Sequence, residues 1–222
     1  MKIKVLLCCF LLLGLSGVSN ALTIIDGSTS GYYNSALGTS LDGTNPIGST
    51  NLFPLANVSS GDPLINPAPE PDLSSVNSVL GDWLNDPGNL NSNWTGLQSI
   101  PSTWAVNSET AIVYAFDAGA GLENLQASFG VDNGLFVWLD GTYISGALAP
   151  GGAYAYEYTY ALFDLSAGTH YLQVLREDHG GSTGWAINVT GDQVAPVPEP
   201  GTMLLLGVGL AGLVGMRKKF KC

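Results

Sequence analysis

The chain has 222 residues, 45% of them hydrophobic and 11% charged, with 18 acidic residues against seven basic ones and a formal charge of −11. Six of the basic residues lie at the two ends, so Arg176 alone faces all the acids between Asp26 and Glu199, a local charge of −17. That balance repels nucleic acid and anionic membranes, and the absence of lysine from this stretch excludes Schiff-base chemistry. Divalent cations and neutral sugars remain as partners, with plain solubility as the alternative.

Residues 1–21 carry Lys2 and Lys4, an apolar stretch from Val5 to Leu15, and Ser19-Asn20-Ala21. This is the pattern of a signal peptide, with small residues suited to signal peptidase cleavage after Ala21. Cys8 and Cys9 lie inside the apolar stretch with no small residue before them, which argues against a lipoprotein anchor. Cys222 is the third cysteine, so residues 22–195 enter an oxidising compartment with no disulfide to form. Stability there must come from a core, with bound ions as an optional addition.

Residues 22–75 are rich in Gly, Ser, Thr, Asn and Pro, with turn dipeptides at Asp26-Gly27, Asp42-Gly43 and Gly61-Asp62. Leu22-Thr23-Ile24-Ile25 and Leu52-Phe53-Pro54-Leu55 need apolar surroundings, so this region reads as short strands and long loops of one ectodomain, 22–195, with a disordered leader as the alternative. Val76, Leu80, Trp83 and Leu84 fall at helical spacing and predict one short helix over 75–84. From Thr110 the pattern changes to strands: 111–116, 125–129, 135–139, 156–162, 171–176 and 185–189 are mostly rich in β-branched and aromatic residues between Gly, Asp, Asn or Ser. Asp140-Gly141 is a hairpin signal, because a tight turn needs the positive φ that Gly adopts freely. The spacing predicts a mainly β protein, an antiparallel sandwich.

The run Val131-Asp132-Asn133-Gly134-Leu135-Phe136-Val137-Trp138-Leu139-Asp140-Gly141, followed by Gly151-Gly152-Ala153-Tyr154, residues 158–165 and Ala167-Gly168-Thr169-His170-Tyr171-Leu172-Gln173-Val174, resembles galactose-binding-like jelly-roll domains. That resemblance implies a jelly-roll β-sandwich of the kind found in glycosidase accessory domains and carbohydrate-binding modules. It carries no barrel of the sort that performs catalysis in those glycosidases, so no catalytic residue is assigned.

Candidate ligand-binding residues follow from side-chain chemistry. Tyr143, Tyr154 and Tyr156 lie near loops and offer flat faces to sugar rings, while Asp132 and Asn133 suit hydroxyls. Trp138 and Trp185 sit inside strand patterns and read as core. Arg176-Glu177-Asp178-His179-Gly180-Gly181 gathers the ectodomain's one Arg with two acids and a His, making Arg176 and His179 candidates; its plain alternative is an Arg176 ion pair beside a solvated loop. No metal is certain. Structural calcium needs only oxygen ligands on loops, for which Asp26, Asp42 and Asp132 are available without a defining spacing, and His170 and His179 do not form a zinc pattern.

The chain ends with Pro198-Glu199-Pro200, an apolar run over 202–216, and Arg217, Lys218, Lys219 and Lys221. About 15 residues make roughly 22 Å of helix against about 30 Å of hydrocarbon, which suits a transient membrane anchor with its basic end cytoplasmic. Residues 196–222 resemble the PEP-CTERM sorting signal that exosortases process. The resemblance implies a precursor held in the inner membrane and then delivered to the cell surface or extracellular matrix, with exosortase and signal peptidase as processing partners. Three functions are compatible: a non-catalytic protein binding exopolysaccharide or another glycan, a structural matrix protein bridged by divalent cations, and, last, a glycoside hydrolase.

Overall fold

A computed structural model describes residues 21–43, 46–47, 50–53, 64–149, 152, 156–194, 201 and 207–209. The larger compact unit is Val18–Gln193, which holds every described strand. Its framework is a set of antiparallel strands: β1 (Ala21–Asp26), β2 (Ser30–Gly38), β3 (Pro46–Ile47), β4 (Thr50–Asn51), β5 (Gln98–Ser99), β6 (Glu109–Asp117), β7 (Leu122–Leu139), β8 (Thr142–Ala149), β9 (Tyr158–Ala161), β10 (Thr169–Glu177) and β11 (Gly184–Gln193). β3 and β4 form a separate two-stranded ladder.

The 18-residue β7 organises the rest. Its first part pairs with β11 and β9, and its last part with β10 and β8. Beyond these neighbours β1 joins β11, while β6, β2 and β5 extend from β10. One long strand thereby belongs to two half-sheets, and the sheet curls back on itself.

Side-chain alternation decides what each face buries. Leu125, Ala127 and Phe129 of β7 pack with Ile187 and Val189 of β11 and Ile25 of β1. Against them come Ile112 and Tyr114 of β6, Leu135, Val137 and Leu139 of β7, and Leu172 and Val174 of β10. The intervening residues, Ala111, Val113, Phe136, Trp138 and Leu175, point to the opposite face, where Leu37, Leu41, Leu52, Phe53, Leu73, Val76, Leu80, Trp83 and Trp94 cover them. Burial on both faces explains why residues 135–139 read as an unbroken apolar run rather than an alternating one. Each fully buried large apolar side chain contributes about 1.5–3 kcal/mol.

The β7–β8 turn is the expected hairpin, with Asp140 at φ 49° and Gly141 at φ 73°. Elsewhere the elements differ from the sequence reading. Residues 125–129 and 135–139 belong to one strand, because Asp132-Asn133-Gly134 continues the ladder, pairing with Gly184 on one side and with Glu177 and β8 on the other. The helix expected over 75–84 is shorter, a 3-10 turn Ser74–Val76 and one α-turn Asn77–Leu80. It stops at Gly81, whose φ of 66° leaves the helical region and whose N–H bonds back to the Asn77 carbonyl. β8, with small residues at Ser145, Gly146 and Ala147, was not apparent in the sequence. Gly146 is required there, since an added Cβ would meet the Phe136 ring, the Tyr143 hydroxyl and the Leu135 carbonyl.

Candidate functional site

Arg176 lies within β10, in the strand expected over 171–176, and it is fully buried. Its register partner on β6 is Thr110, whose hydroxyl accepts from Nε at 3.1 Å, and Nη1 donates to the Pro101 carbonyl at 3.0 Å. The guanidinium carbon is 4.2 Å from the Trp104 ring centre and 5.1 Å from that of Trp185. Loss of water pushes its pKa down to about 10, which leaves it charged at neutral pH. Aromatic faces, the Thr110 hydroxyl and the Pro101 carbonyl thus hold the one arginine of residues 22–195 inside the protein.

The loop that follows is pinned rather than solvated. The Asn133 side-chain oxygen accepts the His179 N–H at 2.7 Å, and Asp178 Oδ2 accepts from the Asn107 and Gly180 N–H groups. Ser182 Oγ donates to Asp132 Oδ2 at 3.3 Å. Asp132, Asn133, Asp178 and His179 are all buried. Burial raises the Asp178 pKa, with the Asp132 charge adding to it, against the two backbone hydrogen bonds that lower it.

Three distant segments meet beside this loop. Asp42 lies on the turn after β2, Glu109 opens β6, and His179 follows β10; one ligand-type atom from each lies within 4.8 Å of the others. Glu109 is fully buried; no group among the described residues meets its carboxylate oxygens in good hydrogen-bond geometry, although the Asp42 carboxyl and the Leu41 backbone lie beside them. Burial, then the negative Asp42 nearby, pushes Glu109 up to about 9. Burial lowers the His179 pKa, with the Asp42 charge opposing. Glu177 Oε1 stands 3.8 Å from His179 Nδ1.

A second feature opens to solvent. Tyr32 of β2 and residues 87–91 and 94–96 line a cleft of about 350 Å³. Its side chains include Tyr32, Asn89, Asn91 and Thr95, and none is a carboxylate. The wall behind it is fixed by an aromatic and amide framework. Trp94 stacks on Trp83 at 5.6 Å and donates Nε1–H to the Leu80 carbonyl, while the amide groups of Asn34, Asn91 and Asn93 all donate to the Val79 carbonyl. Thr95 pairs with the Tyr33 backbone through both its N–H and its hydroxyl.

The sequence-derived candidates separate accordingly. Asp132, Asn133, Arg176 and His179 come together, but inside the protein. Tyr143 is half-buried, its ring against Trp138 and its hydroxyl donating to the Ala68 carbonyl at 2.8 Å, and burial raises its pKa. Tyr156 is 63% exposed with φ at 67°. It borders a small recess of about 60 Å³ with Ser128 and Asn188. Tyr154, the sorting residues Pro198, Glu199 and Pro200, the basic residues Arg217, Lys218, Lys219 and Lys221, and most of the two terminal segments lie outside the described residues. Among the described residues no helix is long and apolar enough to cross a membrane. Asp26 closes its own turn by accepting from Ser28 and Thr29, and His170 is held by Asp140 at 2.6 Å and the Ser166 carbonyl at 2.9 Å. The cleft residues were missed. The one available signal was the asparagine-rich stretch Asn85-Asp86-Pro87-Gly88-Asn89-Leu90-Asn91-Ser92-Asn93, and nothing in sequence links it to Tyr32.

Comparison with known proteins gives the following. The PA14 sugar-binding domain of an RTX adhesin is 16% identical, covers 73% of this chain and 90% of its own, and superposes with a TM-score of 0.36. The GH2 β-galacturonidase of Eisenbergiella tayi is 11% identical over 81% of this chain and 25% of its own, with a TM-score of 0.40. The GH31 α-xylosidase of Xanthomonas citri is 12% identical over 80% of this chain and 18% of its own, with a TM-score of 0.28. No curated protein matches the sequence significantly. Residues 196–219 match the PEP-CTERM protein-sorting motif, so the tail singled out in the sequence is a sorting signal of that class.

Proposed function

We propose that the chain is an exported precursor, processed at its C-terminal sorting motif by an exosortase, whose β domain is a non-catalytic glycan-binding module of the cell surface or matrix. The observation that carries the binding reading is the open cleft at Tyr32, Asn89, Asn91 and Thr95. It is free of carboxylates in a region of formal charge −17. Amide and hydroxyl groups beside an aromatic ring suit neutral sugar hydroxyls and the apolar face of a pyranose. A glycosidase would require two carboxyl groups flanking the sugar, and the cleft supplies none.

The test uses the full chain in detergent, titrated with the host's own exopolysaccharide. Saturable binding that weakens about tenfold in Asn91→Ala or Tyr32→Ala supports the reading, since one lost hydrogen bond or stacking contact is worth about 1–1.5 kcal/mol. Binding untouched by either change removes the cleft from consideration. The strong acidity favours a second reading, a structural matrix protein bridged by divalent cations; calcium-dependent assembly without saturable glycan binding would support it instead.

A further inference from the structure

We infer that Asp42, Glu109 and His179 form an internal site for a divalent transition-metal ion of the zinc type, tying the turn after β2 to the ends of β6 and β10. The inference stands apart from the glycan reading, because it uses none of the cleft residues.

The ligands come from three segments separated by more than 60 residues each. A triangle with sides of at most 4.8 Å has its corners no more than about 2.8 Å (4.8/√3) from a common centre. Zinc–ligand distances of about 2.0–2.2 Å are reached by a small inward movement of the side chains. The second observation is Glu109 itself. A fully buried carboxyl group that faces the Asp42 carboxyl, and that no donor meets in good hydrogen-bond geometry, is costly unless a proton or a cation meets it.

The ligand types select the ion. Calcium takes six to eight oxygens, whereas one imidazole and two carboxylates make a nitrogen and oxygen set typical of zinc and its first-row neighbours. The structural calcium considered from sequence therefore gives way to another ion at Asp42. Glu177 Oε1, 3.8 Å from the imidazole, is placed to act as a further ligand or to orient the ring. The site lies at the end of the sheet where the irregular cover begins: Gly38 pairs with Glu109, and the Gly43 N–H bonds to the Phe53 carbonyl at 2.6 Å.

The experiment uses the full-length chain in detergent, with its cysteines alkylated so that they cannot compete for metal. After chelation and dialysis, metal content and thermal midpoint are measured with zinc, manganese and calcium added separately. One equivalent of zinc or manganese and a rise in midpoint of about 5–10 °C are expected at saturating metal. Glu109→Gln, which keeps the shape and removes the charge, should fold in the absence of metal yet bind at least tenfold more weakly, and His179→Ala should do the same. No bound metal, calcium bound in preference to zinc, or zinc binding unchanged in both variants would overturn the inference. Unaltered metal-free midpoint in Glu109→Gln distinguishes loss of the site from loss of the fold.

Discussion

The two faces of the sheet formed by β6, β10 and the last part of β7 are both dry, but they are covered by different kinds of structure. The inner face meets another layer of strands, with Phe129, Val189 and Ile25 opposite Val137, Val174 and Ile112. The outer face meets a stretch of turns and loops carrying Trp83, Trp94, Leu80 and Phe53. Irregular chain can serve as a core layer when its polar backbone is satisfied. Here Asn34, Asn91 and Asn93 supply donors to one carbonyl, Gln173 donates to the carbonyls of Trp83 and Leu84, and Trp138 donates to Glu70. Both candidate sites adjoin the irregular cover.

The largest effect should come from removing one aromatic from each face. Phe129→Ala is expected to cost about 3–5 kcal/mol and to lower denaturant stability of the whole domain. Trp83→Ala should cost a similar amount, but hydrogen exchange should rise first over residues 64–97, while β6 and β10 stay protected. Equal loss of protection throughout the domain in both variants would show that the two layers unfold as one.

Arg176 sharpens the comparison from the inner side. Arg176→Lys keeps the charge but cannot make the same fork to Thr110 and Pro101 or cover the Trp104 face, and it should destabilise by about 1–3 kcal/mol in urea unfolding. Stability equal to the parent would mean that the guanidinium geometry is unimportant.

The smallest effect concerns pH at the β7–β8 hairpin. Burial by itself would lower the His170 pKa, but the hydrogen bonds to Asp140 and Ser166, with the charges of Asp140 and Asp117, together raise it above 6.5. The folded state then binds the proton more tightly than the unfolded chain. Its stabilisation is fully present below pH 6.5 and is lost as pH rises through the higher folded value. His170→Gln should reduce stability on the acid side and converge with the parent in alkali. A ring titration by NMR at or below 6.5 would contradict this.

Much of the strand layer was legible because burial on one or both faces leaves a pattern of two or an unbroken apolar run. Residues 135–139 and 171–176 show it, and Asp140-Gly141 marks its own turn through local backbone conformation. Asp132-Asn133-Gly134 misled as a break between strands, since polar residues ordinarily mark loops. In the fold their polar groups meet the backbone of His179 and the hydroxyl of Ser182, contacts that no local pattern encodes.

Sequence alone determined the sorting tail, the −17 charge, the absence of cysteine from residues 22–195 and the antiparallel β character. Each is written in adjacent residues or in composition. Only tertiary structure decided that Arg176 is internal, that Asp42 and Glu109 reach His179, and that Tyr32 faces an asparagine-rich wall. Those relations join residues tens of positions apart, and the pairing of β2, β6, β7 and β10 is the physical cause that brings them together.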